Sequence, residues 1–124
     1  MVSDKPLVFK NRHEWRRWLE HNHDKEDEVW LVIYKKRARK LSIAYEDAVE
    51  ESICFGWIDT KVKKIDEERF MQRYVPRKPN SVWSLHNKKR ALKMLRQGRM
   101  TKAGLDRIND AKKIGMWDSA LRRR

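Results

Sequence analysis

Trp15, Trp18, Leu19 and Asn22 recur at three- and four-residue spacing, and Asn11-Arg12-His13-Glu14 stands in front of them as a capping box. Asn11 can accept from the third backbone N–H while Glu14 reaches back. The spacing predicts a short amphipathic helix to about Asn22, then a polar loop over 23–27. Glu28 to Lys35 reads EVWLVIYK and is apolar at both parities, which predicts a central strand covered on both sides. Residues 36–40 form a basic loop. Ser42 or Tyr45 opens a second helix, with Ala48, Val49, Ser52 and Ile53 as its buried stripe. Glu46, Asp47, Glu50 and Glu51 make its acidic outer face, and Gly56 closes it.

Residues 57–65 read as a strand with a polar face, 66–68 as a turn, and 69–75 as the returning partner. Pro76 and Pro79 end that strand, because neither can donate to a ladder. Ser81 or Ser84 caps a third helix with Leu85, Leu92 and Leu95 inward, ending at Gly98. Thr101 caps a fourth helix with Leu105 and Ile108 inward, ending at Gly115. The order α-β-α-β-β-α-α describes a single α+β domain, a small, mainly antiparallel sheet packed with helices. A flexible arm (1–8) precedes the domain (9–118), and a basic tail (119–124) follows it. The aromatic content, with six Trp, argues against disorder. No apolar run spans a membrane, and the N-terminus has no apolar signal region, so a cytoplasmic location is expected.

Charge changes this picture. Residues 1–60 carry 11 basic and 12 acidic side chains, whereas residues 61–124 carry 20 basic and 6 acidic ones. No carboxylate occurs from Arg69 to Leu105, a stretch holding Arg69, Arg73, Arg77, Lys78, Lys88, Lys89, Arg90, Lys93, Arg96, Arg99 and Lys102. Such a block repels itself unless anions screen it, so these residues are the candidate nucleic-acid contacts. His86, Arg90, Lys93 and Gln97 fall on one polar face of the third helix, opposite its leucines. A second candidate lies at the start of that helix. Arg73 and Arg77 supply guanidinium forks, and Ser81, Ser84 and Asn87 supply neutral donors near free helical N–H groups, a set suited to a phosphate. Asp59, Trp57 and Trp83 would support it. Asp59 reads better as a partner of Arg73 or Arg77 than as a general base. Ser84 and Trp83 have a plainer role too, as helix cap and core lid.

Several strings point further. They are Tyr45-Glu46-Asp47-Ala48-Val49-Glu50, Cys54-Phe55-Gly56-Trp57-Ile58-Asp59, Pro76-Arg77-Lys78-Pro79, Ser81-Val82-Trp83-Ser84 with Asn87-Lys88, and Gly98-Arg99-Met100-Thr101 with Gly104. With Glu14-Trp15 and Trp30-Leu31-Val32 upstream, the pattern resembles the YdeI/OmpD-associated family of bacteriocin-protection proteins, from about Phe9 to Trp117. That resemblance implies a role in envelope stress or antimicrobial-peptide resistance and says little about mechanism.

No catalytic constellation stands out. Ser84 and His86 are two apart on a helix and face different ways. His13 and His21-x-His23 read better as solvated histidines than as a metal site, and no cofactor or metal is expected. The lone Cys54 excludes an internal disulfide and reads as a buried, inert thiol. Trp57 and Tyr74 are the aromatics placed to stack on bases, although six Trp in so small a domain are more often core. The leading expectation is low-specificity DNA or RNA binding by the basic C-terminal half. The alternatives are a binding protein or enzyme for a small phosphorylated or acidic ligand at PRKPNSVWS, and an envelope-stress factor.

Overall fold

A computed structural model describes residues 5–120, except for the side chains of 38–40. The first four residues of the expected arm and the last four of the basic tail lie outside the described residues. The elements run α1 (Arg12–Asn22), β1 (Val29–Tyr34), a 3-10 turn over Lys36–Leu41 where a loop was expected, α2 (Tyr45–Cys54), β2 (Trp57–Lys64), β3 (Arg69–Pro76), α3 (Leu85–Arg96) and α4 (Lys102–Lys113). The fold is α+β, with four helices and one antiparallel three-stranded sheet.

Local chemistry sets the helix starts. Asn11, Ser84 and Thr101 accept from the backbone N–H three residues on, at Glu14 (3.0 Å), Asn87 (3.1 Å) and Gly104 (3.5 Å). Glu14 reaches back to the N–H of Lys10 at 2.7 Å. Gly56 follows α2 with φ +75°, and a Cβ there would stand 2.9 Å from the Ala103 carbonyl, so glycine is required twice over.

The sheet order is β1-β3-β2, so β3 and not β1 is central. Beyond β1 lies an isolated parallel bridge at Leu7, whose N–H donates to Trp30 O at 2.8 Å and whose carbonyl accepts from Val32 N–H at 2.9 Å. A polar residue on β3 is tolerated in the core because both polar atoms of its amide find a partner. Buried Gln72 accepts from Tyr74 Oη at 2.7 Å and donates to Asp59 Oδ2 at 3.2 Å. β2 is an edge strand with a register shift between Asp59 and Val62, and Lys61 within the shift and Lys63 and Lys64 after it are exposed.

Two apolar clusters meet across α2. Trp15, Leu19, Leu31, Ile33, Ala48, Cys54, Trp57 and Tyr74 fill the space between α1, α2 and the inner sheet face. Val49, Ile53, Trp83, Ala91, Ile108, Ala111 and Trp117 fill the space toward α3 and α4. Trp83 and Trp117 meet edge-on at 5.3 Å, a geometry worth about 1 kcal/mol beyond burial. Because α2 is covered from two sides, Glu50 and Glu51 are 1% and 0% exposed, not on an outer face as their charge suggests. The inward stripe of α3 is Asn87, Ala91 and Met94, while Leu92 and Leu95 are each 38% exposed. On α4, Gly104, Ile108 and Ala111 point inward and Leu105 is exposed. Small residues let both helices approach closely. A Cβ on Gly104 would lie 2.4 Å from the Cys54 carbonyl oxygen and 2.6 Å from that of Ile53. Thr101 Oγ1 donates to the same Cys54 carbonyl at 2.5 Å. No helix among the described residues is long and apolar enough to cross a membrane.

Candidate functional site

The carboxylates of α2 draw in much of the basic block. Glu51 accepts from Arg12 Nε (2.7 Å) and Arg16 Nη1 (2.8 Å) on α1, and from Arg99 Nη2 (2.7 Å) beyond α3. Glu50 takes Arg12 Nη2 at 2.9 Å and Lys93 Nζ at 2.8 Å, and Asp47 takes Arg12 Nη1 at 3.1 Å. Burial pushes the Glu51 carboxyl up, but hydrogen bonds from Arg16, Arg12 and Arg99 outweigh it and hold it below its ordinary value. Burial likewise lowers Arg12 and Arg16, and their bonds to these carboxylates bring them out raised. Glu46 is lowered by its hydrogen bond from Arg90, at 2.8 Å, and Arg90 is raised in return. This network was not anticipated from the sequence. Its signal was the pairing of a carboxylate-rich α2 with arginines one turn apart on α1.

The expected nucleic-acid residues therefore divide. Six pair with carboxylates: Arg69 with Asp66, Arg73 with Glu28, Arg90 with Glu46, Lys93 with Glu50, Arg99 with Glu51 and Lys102 with Asp106. Lys88 donates to the Trp117 carbonyl at 3.1 Å and sits over its ring. Lys78, Lys89 and Arg96 stay exposed. The polar face of α3 thus turns Arg90 and Lys93 toward α2.

The expected anion residues are committed to the fold. Arg77 is 3% exposed, and its guanidinium lies 3.8 Å from the centroid of the Trp83 ring. It donates to Ser81 Oγ at 2.9 Å and to the Val82 carbonyl at 3.3 Å. Ser84 is buried and caps α3, and buried Asn87 accepts from Arg90 Nη1 at 2.7 Å. Arg73 lies apart, on the sheet, held by Glu28. Arg77 and Ser81 meet, Ser84 and Asn87 meet, and the five residues form no single cradle. Asp59 accepts from Gln72, and Arg73 takes Glu28 as its carboxylate.

The expected stacking aromatics are both inside. Trp57 packs edge-on against Trp18 and donates to the His23 carbonyl at 3.3 Å, and Tyr74 packs on Trp15. His21 and His23 each bond a carbonyl one turn back, at 2.8 Å, and no group of three metal-ligating side chains occurs among the described residues. Cys54 is buried, and its thiol is pushed up to about 11 by burial and by the charge of Glu51.

A different surface is left open. On β1, partly exposed Trp30 and Tyr34 flank buried Val32, and the three alternate with the core-facing Val29, Leu31 and Ile33. Their register partners on β3 are Arg73, Met71 and Arg69, and on β2 Lys63 pairs with Met71 and Ile58 with Val75. The ring contacts of α1 and the packing of α2 fall on the other face. Beside the hairpin turn, whose exposed Asp66 and Glu67 pair with Arg69 and Lys64, and whose Glu68 is also exposed, Lys35, Lys36, Arg37 and Lys63 are exposed, as is Lys61 midway along β2, none of the five with a carboxylate partner among the described residues.

Comparison with curated proteins and with solved structures finds no match. A family model matches residues 7–107, and it is not that of the YdeI/OmpD-associated family, so the resemblance drawn from the FGWID and PRKPNSVWS strings is overturned. Those strings have structural work of their own, closing α2 at Gly56, stacking Arg77 on Trp83 and capping α3 with Ser84. With the match covering most of its length, the chain belongs to the family described as Domain of unknown function (DUF8412).

Proposed function

We propose that this protein binds nucleic acid, with little sequence preference, through the basic hairpin end of its sheet. The observation carrying this reading is the unneutralised group Lys35, Lys36, Arg37, Lys61 and Lys63, all exposed and without carboxylate partners among the described residues. Phosphate contacts supply the affinity of low-specificity nucleic-acid binding, and exposed lysines and arginines make them. On α3 and just beyond it, Arg90, Lys93 and Arg99 are held by the carboxylates of α2, while Lys89 and Arg96 stay exposed. The surface proposed is therefore the sheet, not the third helix.

The test is titration of labelled duplex and single-stranded oligonucleotides at several salt concentrations. Each phosphate contact contributes roughly 0.9 to the slope of log K against log salt on a duplex, so replacing both Lys36 and Lys61 with Gln lowers the slope by about 2. Replacing Arg90 and Lys93 with Gln leaves the slope unchanged and lowers the melting temperature, because those residues act on α2. No binding at low salt, or equal slope losses from both pairs, overturns the reading.

A further inference from the structure

The outer face of the sheet combines apolar and aromatic surface with positive charge. Trp30 and Tyr34 lie on it four residues apart on one strand, about 13 Å along it. Both are partly exposed, as are Met71, Val75 and Ile58 beside them. Arg73 stands directly opposite Trp30 in the register and Arg69 opposite Tyr34. Lys63 crosses from the edge strand to place its ammonium 5.2 Å from the centroid of the Trp30 ring. Trp15 and Trp57, by contrast, are enclosed among α1, α2 and the inner face of the sheet.

We infer that this face is a stacking platform for single-stranded nucleic acid, with an unpaired base displacing the Lys63 ammonium from over the Trp30 ring and its phosphate taking up that ammonium. The inference rests on the nucleic-acid reading above and adds the form of the ligand. Three physical points carry it. A flat indole offers a π surface to any base, so stacking adds affinity without demanding sequence. The cation beside the ring is Lys63, which has no carboxylate partner among the described residues, whereas Arg73 opposite Trp30 is already paired with Glu28. In a duplex the bases are stacked on one another and cannot lie on a protein ring, so only an unpaired strand gains from Trp30. A purely apolar partner would leave Lys63 facing an uncharged surface, and an acidic protein would have no use for the ring as a stacking plane.

The experiment compares a fluorescein-labelled oligothymidylate with a labelled duplex of equal length, on the wild type and on Trp30→Leu and Trp30→Phe. Leucine keeps the apolar contact and removes the extended π face, while phenylalanine keeps a ring. The wild type is expected to prefer the single strand. Trp30→Leu should weaken the oligothymidylate roughly tenfold and leave the duplex within about twofold, with Trp30→Phe retaining most of the affinity. Lys63→Gln should lower the salt slope on the single strand by about 0.7. Melting curves of all three variants check that the fold is intact. Equal affinity for the two forms, or a Trp30→Leu loss shared equally between them, overturns the platform and leaves the nucleic-acid reading standing. Binding to neither form overturns both.

Discussion

Replacing Glu51 with Gln tests whether the buried ion cluster holds the helices together. The substitution keeps the shape and removes the charge that faces Arg12, Arg16 and Arg99. It also sets an amide N–H₂ against three guanidinium donors. Breaking a buried pair on one side costs about 3–5 kcal/mol. The three arginine side chains are 29%, 20% and 34% exposed, so water re-solvates them in part and the lower end, about 3 kcal/mol, applies. For a domain of this size that is a fall of about 12 °C in melting temperature. The control is Glu67→Gln, whose carboxylate is 85% exposed and pairs with Lys64 on the hairpin turn, and it should be nearly silent. Acid titration adds a second reading. The folded Glu51 carboxyl is lowered, so its stabilisation is complete above the unfolded value of about 4.3 and is lost as pH falls through the folded value. Wild type and E51Q should therefore differ most near neutrality and converge in acid. Urea and thermal unfolding by circular dichroism at several pH values measure both effects. A loss no larger than that of Glu67→Gln, or a gap that stays constant down to low pH, refutes the argument.

Three further outcomes are expected. Gly104→Ala places a methyl against the Cys54 and Ile53 carbonyls and should lower the melting temperature by about 10 °C or abolish soluble expression, because backbone cannot easily yield. Arg77→Lys should cost about 2 kcal/mol in urea unfolding, since lysine cannot fork between Ser81 and Val82 while stacked on Trp83, and should leave oligonucleotide affinity unchanged. With its thiol near 11, Cys54 should react with iodoacetamide at pH 8 roughly a hundredfold more slowly in the native protein than in urea, and equal rates would contradict its burial.

What the sequence made legible was local. Asn11, Ser84 and Thr101 cap the helices they precede because a cap depends only on residues three positions away. The hairpin of β2 and β3 follows from alternation and a polar turn. What escaped were the features set by distant partners. Glu50 and Glu51 read as solvent-facing because charge on a helix ordinarily is. Their burial needed Arg12, Arg16 and Arg99, far away in the chain, to arrive beside them. Leucine spacing misplaced the inner face of α3, because close approach to α2 selects Ala91 over bulk. Arg77 looked like a ligand-binding fork because stacking on Trp83 is invisible in spacing. The apolar run of β1 suggested the middle of the sheet, yet β3 takes that place with its one buried amide satisfied.

The free edge of β2 has a consequence for how copies of this chain meet. A terminal strand exposes unpaired N–H and C=O groups and invites another strand to continue the sheet. Here that strand carries Lys61, Lys63 and Lys64, so two copies aligned edge to edge would bring two rows of ammonium groups together. On the opposite flank, the Leu7 bridge occupies donor and acceptor sites of β1. Sheet growth is therefore discouraged at one end by like charge and at the other by the chain's own backbone. The electrostatic guard alone weakens as salt rises, which makes ionic strength the variable that governs self-association through this strand.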